Sequence, residues 1–458
     1  MLSEKRDAGP VLVVDAGGSL APRGRMAALV EGSQELAQRR IKAELIASAW
    51  ALGGIDGIAV GGDDWNLGRD FVFGLAESHS LPVLAANLVC GGERPLKGHR
   101  VVEVGGHKVG LVGVTTGEVE GCTIGPPDEA MRAAVAAMGA VDLVIGLTPA
   151  ERAEDVAVLG ESGIDVVFDG RGRHTTDVPD EMGDAWAVGS GTRGKYVGFL
   201  EITFVPGAER FAPSGVADSE RKRLERVEQR MASLSSRALQ EKDPARKVRW
   251  ENQVAAYEQQ AAEARAAIAA AEAGAAVVAN GLANSELALS ADVEDHAVIK
   301  ERIDAALQEI IEVEGGTVQF HLEPHVAPPD SPYAGSDACV ACHKEQHLQW
   351  STTAHAHAWQ TLVIEKRHLD RDCFSCHATG VSKPGGPAQP GEVVGLRDVQ
   401  CEACHGAAGR HVAHPGVVKP LADPGLKVCQ GCHDGEQDGG RFDFPTYRPK
   451  IVHGTAAE

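Results

Sequence analysis

The sequence predicts a multidomain chain: an α/β layered domain over residues 1–210, an α-helical hairpin within 217–320, and a small, mainly α and loop domain over 331–458. Three observations predict it. Short apolar runs alternate with helical patterns through the first two hundred residues. Apolar residues then step by three and four from about residue 218 to 273. Eight of the ten cysteines and thirteen of the eighteen histidines fall after residue 320. The 458 residues leave room for two to four cores. Of the formal charge of −21, residues 331–458 carry only −2, from 12 basic and 14 acidic side chains, so the first 330 carry −19. Such an excess of negative charge argues against a nucleic-acid backbone or an anionic membrane surface as the main partner. No run of about 18 apolar residues encodes a membrane span.

In the first domain, Val11-Leu-Val-Val14, Gly57-Ile-Ala-Val60, Val83-Leu-Ala-Ala86, Val109-Gly-Leu-Val112, Val141-Asp-Leu-Val-Ile145 and Asp165-Val-Val-Phe168 are runs suited to buried strands. Helical patterns such as 35–51 and 129–138 separate several of them, which argues a layered α/β domain with at least part of its sheet internal. In the middle, Leu224, Val227, Met231, Leu234 and Ala238 share one helix face. After a break at Lys242-Asp243-Pro244, Trp250, Val254, Tyr257, Ala261, Ala264 and Ile268 share another. Charge on the remaining faces makes this an antiparallel coiled-coil hairpin, a spacer or a dimerisation element. Glu286-Leu-Ala-Leu289 reads as a short strand and is followed by one more helix. Ala327-Pro-Pro-Asp-Ser-Pro332 reads as a stiff linker.

The last domain carries the chemistry. Cys339-Val-Ala-Cys342-His343, Cys373-Phe-Ser-Cys376-His377, Cys401-Glu-Ala-Cys404-His405 and Cys429-Gln-Gly-Cys432-His433 are four C-x-x-C-H units, where chance placement gives about 0.01 per chain. Two cysteines one helical turn apart can form thioethers to both vinyl groups of a porphyrin, and the following histidine then sits under the iron. Four C-x-x-C pairs also suit two zinc ribbons, although a ribbon has no use for a histidine after every second cysteine. Disulfides are a further alternative. Spare histidines for the opposite face of an iron are His347, His355, His357, His368, His411, His414 and His453, with His321 and His325 just upstream.

Residues 331–458 resemble the tetrahaem cytochrome c-554 family of nitrifying bacteria. The resemblance lies in Gly335-Ser-Asp-Ala-Cys-Val-Ala-Cys-His343, Gln349-Trp350, His355-Ala356, Cys373-Phe-Ser-Cys-His-Ala-Thr-Gly380, Val399-Gln-Cys-Glu-Ala-Cys-His-Gly406, His411 and Pro449-Lys-Ile-Val-His453-Gly. It implies four haem c groups, tethered by the eight cysteines, with His343, His377, His405 and His433 as proximal ligands. It also implies His355, His411 and His453 as distal ligands, hence three bis-histidine irons and a fourth that is open or differently ligated. The chain departs from the family at Ala407-Ala408-Gly409, where Pro-Gly-Ser often follows the third unit, and at His347, where tyrosine is common.

The strand ends of the first domain are similar to the calcineurin-like metallophosphoesterase fold, in its 5′-nucleotidase branch. The matching stretches are Val14-Asp-Ala-Gly17, Ala59-Val-Gly-Gly62, Ala86-Asn-Leu-Val89, Asp165-Val-Val-Phe-Asp-Gly170 and Gly189–Leu200 with its Gly194-Lys-Tyr-Val-Gly198. That family holds two metal ions on Asp, Asn and His side chains. Here D-A-G-D is Asp15-Ala-Gly-Gly18, the G-N-H triplet is Gly61-Gly62-Asp63, S-H is Thr148-Pro149, and G-H-x-H is Gly170-Arg171-Gly172-Arg173. Guanidinium groups have no lone pair to give a cation. Arg171 and Arg173 are either solvated or hold an anion in place of the dication; His174, Asp63 and Asp64 are the alternative, a relic metal site. Cys90 and Cys122 are either a disulfide or two isolated thiols.

Thioether haem is attached outside the cytoplasm, so a periplasmic or equivalent location and a secretory leader are expected. The chain opens Met1-Leu-Ser-Glu-Lys-Arg without an apolar leader core, and the family's opening D-x-H would precede Met1. The expectation is therefore a true N-terminus upstream. The function expected is electron transfer between redox donor and acceptor proteins, with no phosphoesterase activity. The alternatives are a redox enzyme acting on a small nitrogen or oxygen species at one open iron, and a nucleotidase-type hydrolase with an accessory cytochrome.

Overall fold

The structure is a computed structural model in which residues 2–22, 29–149, 156–170, 178–191, 194–240, 244–273, 278–290, 293–315, 325–328, 331–434 and 441–453 are described. They fall into two compact units, Met1–Ala28 with Ile46–Glu294, and Leu29–Leu45 with Asp295–Glu458.

The first unit begins with α1 (Leu2–Ala8), β1 (Val14–Asp15) and the end of α2 (Gln34–Gly53), whose residues up to Leu45 belong to the second unit. Helix α2 starts where the Ser33 hydroxyl accepts the Leu36 N–H. It stops where Gly54, at φ 62°, turns left-handed and Ile55 N–H closes back on Trp50, a conformation that favours glycine. There follow β2 (Gly57–Ile58), α3 (Arg69–Ser78), β3 (Leu88–Cys90), β4 (His99–Val104), β5 (His107–Gly113), β6 (Cys122–Ile124), α4 (Pro127–Met138), β7 (Leu143–Thr148), β8 (Val166–Asp169), β9 (Asp180–Met182) and β10 (Ala185–Val188). The main sheet has the order β4-β5-β7-β8-β10-β9. Its inner pairs β5–β7, β7–β8 and β8–β10 are parallel and its outer pairs antiparallel.

All six residues of β7 are buried, as expected of a strand covered on both faces. Val144 and Val167 face one core with Met131 and Ala134 of α4, while Ile145 and Val166 face the other with Leu111, Leu147 and Leu282. The apolar run 83–86 forms single bridges rather than a strand, because Leu84 N–H bonds to Ile58 while Ala85 and Ala86 N–H turn to Lys97 and Gly113.

Strand β11 (Tyr196–Thr203), β12 (Phe211–Pro213), α5 (Val216–Gln240), α6 (Pro244–Ala273) and β13 (Asn280–Ala288) complete this unit. Val227, Leu234 and Ala238 of α5 and Ala261 and Ala264 of α6 are buried, and Arg221–Glu272 and Arg265–Glu228 link the two helices, each at 2.5 Å. Residues 241–243, where the sequence breaks the pattern, lie outside the described residues. The run at 286–289 proves to be the end of a nine-residue strand, since β13 pairs antiparallel with β11 from Tyr196–Ala288 to Thr203–Gly281.

Cys90 and Cys122 form a disulfide, which settles the alternative left open by the sequence. They are opposite each other on β3 and β6, and their backbone groups bond elsewhere, to Glu93 and Val119. Such non-hydrogen-bonded pairs bring Cα atoms closest, here 4.0 Å apart.

The second unit contains α7 (Ala297–Val313), α8 (Lys344–Ser351), α9 (Ala358–Ile364), α10 (Arg371–His377), α11 (Cys401–His405), α12 (Gly409–Ala413), α13 (Leu426–Cys429) and α14 (Phe444–Tyr447). Its largest apolar cluster is small: Trp359, Leu362, Phe374, Ala378, Val381 and Val393. Of the expected linker, Pro329 and Asp330 lie outside the described residues. Ala327 and Tyr333 are buried with Leu396, and Ala327 N–H bonds to the Ala334 carbonyl. Among the described residues, no helix is long and apolar enough to cross a membrane.

The disulfide closes a sequence separation of 32 residues, so the chain-entropy model assigns it about 4 kcal/mol. Cys122→Ser is expected to lower the stability of the α/β unit by about that amount in thermal unfolding. An unchanged unfolding midpoint would show that the cross-link constrains nothing.

Candidate haem-binding site

Each C-x-x-C-H unit is wound as a single helical turn. His343 N–H donates to Cys339 O at 2.9 Å and His433 N–H to Cys429 O at 2.8 Å. The second unit closes α10 and the third forms α11. The turn puts both sulfurs of a unit on one side and carries the histidine beyond them. All eight thiols are free and partly or fully exposed. They also meet between units: Cys339 is hydrogen-bonded to Cys401 and Cys432 to Cys376, and Cys404 lies close enough to feel the charge of Cys429. Burial pushes the Cys373 and Cys404 thiols up to about 11, which keeps them protonated at neutral pH.

The expected distal histidines come to face proximal ones. Ring centres are 6.2 Å apart for His343 and His411, 6.3 Å for His433 and His355, and 5.6 Å for His405 and His453. A metal bonded to an imidazole nitrogen at about 2.0 Å on each face, with about 1.1 Å from nitrogen to ring centre, spans about 6 Å. Among the described residues, no imidazole is in ring contact with His377.

Backbone carbonyls fix several of these rings. Nδ1 of His377 lies 2.6 Å from Ala358 O, Nδ1 of His405 2.5 Å from Leu421 O, and Nδ1 of His411 2.6 Å from Val418 O. A proton donated from Nδ1 leaves the Nε2 lone pair for a metal. Burial, with His433 alongside, holds the His355 imidazole below its ordinary pKa and so neutral, the form that ligates. These observations fit a c-type haem. Among the described residues, no three His, Cys, Asp or Glu side chains converge as a metal-ion site.

The other spare histidines are placed differently. His325 Nε2 bonds to Asp398 at 3.1 Å, and His347 packs on Trp350 with its Nε2 3.9 Å from Asp337. His357 and His414 are exposed and His368 is half-buried; His321 lies outside the described residues.

Three polar residues missed by the sequence reading tie the units together. Glu402, only 3 % exposed, accepts the N–H groups of Ala334, Gly335 and Ala408 at 2.9, 2.8 and 2.6 Å. Gln400 accepts the Ser336 N–H and donates to Gly395 and Arg397. Asp398 accepts the Trp359 N–H. Gly335 itself, at φ 80°, has no room for a side chain against the His325 carbonyl.

In the first unit, the loops after β1 and β2 approach each other closely. A Cβ on Gly61 would lie 2.8 Å from Gly18 Cα. Between these loops, the buried Asp64 carboxylate accepts the N–H groups of Gly18, Leu20, Ala21 and Gly61 at 2.8–3.0 Å. Asp15 is held by Gly17 N–H and Ser19 Oγ. Arg171, Arg173 and His174 lie outside the described residues.

The C-x-x-C-H turns and facing histidines of the C-terminal unit are thus similar to those of c-type cytochromes. Residues 338–406 match the family model described as cytochrome c554 and c-prime. Cytochrome c-554 of Nitrosomonas europaea is 35 % identical over 92 residues, 17 % of this chain and 39 % of that protein. Several solved structures are similar to part of the chain. They include the sulfate thiohydrolase SoxB of Thermus thermophilus, at 23 % identity over 44 % of this chain and 38 % of that one, TM-score 0.38. A 5′-nucleotidase precursor, also of Thermus thermophilus, is 21 % identical over 44 % of each chain, TM-score 0.37. The calcineurin-like phosphoesterase YfkN of Bacillus subtilis is 15 % identical over 68 % of this chain and 87 % of that one, TM-score 0.41. The chain spans less than half the length of the cytochrome, of SoxB and of the 5′-nucleotidase precursor.

Two measurements follow from this geometry. Glu402→Gln turns an amide N–H₂ toward backbone donors and is expected to destabilise the cytochrome unit by about 2–3 kcal/mol, read by denaturant unfolding. Burial pushes Asp64 from 3.8 up to about 6 despite its hydrogen bonds. The native state then keeps a proton that the unfolded chain releases, so this group's contribution to stability falls as pH rises from about 4 to 6, by about 3 kcal/mol. A carboxyl ¹³C titration is expected to show a midpoint near 6. A midpoint at or below the ordinary 3.8 would mean that the backbone donors outweigh burial.

Proposed function

We propose that the protein is an extracytoplasmic electron carrier holding four haem c groups on its C-terminal unit, joined to a phosphoesterase-type α/β domain without hydrolytic activity. The observation that carries this reading is the facing of His343 with His411, His433 with His355 and His405 with His453 at 5.6–6.3 Å. Cys339/Cys342, Cys373/Cys376, Cys401/Cys404 and Cys429/Cys432 are the tethers. His343, His377, His405 and His433 are the proximal ligands, and His411, His355 and His453 are the distal ligands of the first, fourth and third centres. A bound haem supplies a one-electron iron couple. The chain's own residues set the axial imidazoles, hold their tautomers through the carbonyls of Ala358, Leu421 and Val418, and space the centres.

The thiol contacts supply the order. Cys339 with Cys401, Cys404 beside Cys429, and Cys432 with Cys376 join the units in the sequence first, third, fourth, second. An electron entering at either end then passes neighbouring centres in turn, between donor and acceptor proteins. The eight thioether positions and the Cys90–Cys122 disulfide both suit an oxidising compartment. The loss of hydrolysis is supported by Asp64, whose two oxygens are taken by four N–H donors, and by arginines at the G-H-x-H positions. Domain limits of 1–210, 217–320 and 331–458 belong to this reading, with the α5–α6 hairpin as a spacer or dimer contact.

A second reading is favoured by His377, which no imidazole faces among the described residues. An open iron there would bind a small nitrogen or oxygen species. Protein matured in a host with cytochrome c assembly is expected to give four haems per chain in a pyridine haemochrome assay and no hydrolysis of a chromogenic phosphate ester with manganese. Carbon monoxide binding to one haem in four supports the open iron, and its absence leaves a pure carrier. Zinc in place of haem overturns both readings.

A further inference from the structure

Helix α2 lies in the sequence among the α/β elements, yet residues Leu29–Leu45 belong to the cytochrome unit. One face of it meets α10, the helix that carries the second C-x-x-C-H unit. Arg39, 6 % exposed along its side chain, reaches Asp372 at 2.5 Å. Lys42 reaches Asp370 at 2.5 Å and Asp372 at 2.7 Å. Gln38 donates to the Leu369 carbonyl at 2.9 Å and to Glu314 at 2.7 Å. Arg371 forks onto Glu314 of the segment after α7 at 2.7 and 3.1 Å. Asp370, 2 % exposed, caps α10 by accepting the Asp372 N–H. The six charges, Arg39, Lys42, Arg371, Asp370, Asp372 and Glu314, sum to zero, and Cys373 is the next residue.

We infer that Arg39 and Lys42 are positioning residues of the second haem centre: their ion pairs with Asp370 and Asp372 lock the first turn of α10, which fixes Cys373, Cys376 and His377, and balance the charge beside that iron. This rests on the haem reading above. The physical argument has two parts. A seven-residue helix has little stability of its own, so the direction of His377 is set by whatever anchors its N-terminal turn. Arg39 and Asp370 are buried, while Lys42 and Asp372 are 24 % and 31 % exposed. Such partly buried charges are screened less than fully exposed ones, so an unbalanced one alters the electron affinity of a nearby iron. The two partners of one ion pair must then act with opposite sign. Removing Arg39 leaves excess negative charge and favours the oxidised iron, whereas neutralising Asp372 leaves excess positive charge and favours the reduced one.

The test is an equilibrium redox titration of the full-length, haem-loaded protein, with the affected couple assigned by its displacement in His377→Met. Arg39→Gln is expected to lower the reduced-to-oxidised ratio of that couple at fixed poise, and Asp372→Asn to raise it. Each change is on the order of tenfold, or 59 mV for a one-electron couple, the effect of a unit charge about 10 Å away at an effective dielectric constant near 20. Arg39→Lys keeps the charge and is expected to restore the parent value. Shifts of the same sign in both variants, equal shifts in every couple, or none would overturn the inference. If Arg39→Gln fails to fold, Asp372→Asn and Arg39→Lys still decide the sign. A parent protein with no haem c in the pyridine haemochrome assay is a different failure, that of the haem reading itself.

Discussion

Seven helices of four to eight residues, α8 to α14, are far below the length at which a helix persists in water. Their unit has one small apolar cluster around Trp359 and Phe374. What this unit depends on is therefore cross-connection through buried polar ties. Glu402 joins the approach to the first C-x-x-C-H turn to the third, Asp398 joins α9 to His325, and the charge latch on α10 joins the second to α2 and α7. Each tie ends on a residue close to a haem-binding turn or on the turn itself. In a unit with so little core, a group that fills the space between turns is the largest apolar body available. Val412, Val417, Leu421, Leu426 and Val452, all exposed, stand beside His411, His405, Cys429 and His453, where such a body would cover them.

This explains which parts of the molecule were legible in the sequence. A C-x-x-C-H unit is a local device, since its spacing is the chemistry, and four copies read directly. The apolar runs of β5, β7 and β8 were legible for the same reason, a periodicity contained within one strand. What was not legible is long-range. His343 and His411 are 68 residues apart in the chain, and no local pattern says that they face. Resemblance to a family, not spacing, pointed to His355, His411 and His453. Arg39, Lys42, Asp370 and Asp372 look in the sequence like any solvated charges. The proline-rich stretch at 327–332 looked like a spacer because prolines stiffen a chain whether or not it is packed. Burial of Ala327 and Tyr333 depends on Leu396, more than sixty residues on.

The first unit shows the complementary case, two loops after β1 and β2 joined through a buried carboxylate. Here Gly18 and Gly61 approach backbone to backbone, and the loops present N–H groups to one another's space. Those donors need an acceptor, because a buried N–H without one costs about 1–3 kcal/mol. Asp64 supplies two oxygens to four of them. A carboxylate used in this way has its lone pairs committed to the chain, and its burial beside Asp15 favours a proton over a second negative charge. The same residue type that would recruit a cation in an open site here serves as a knot in the backbone.

Both units then use buried carboxylates for one purpose, to gather backbone N–H groups from segments distant in sequence. Asp64 does so between the loops after β1 and β2, and Glu402 between residues 334–335 and 408. The difference lies in what remains exposed beside them. In the first unit the knot joins two loops through backbone N–H groups alone. In the second it gathers the backbone around α11, where Cys401 and Cys404 are partly exposed and His405 is turned on the Leu421 carbonyl, so the rigidity serves to orient these side chains. A site for electron transfer gains from that arrangement, because rates and potentials depend on fixed distances and fixed axial ligands rather than on motion. The charge latch on α10 extends the same principle to a helix with no carboxylate knot of its own, using side chains from an element that the sequence places almost 330 residues earlier.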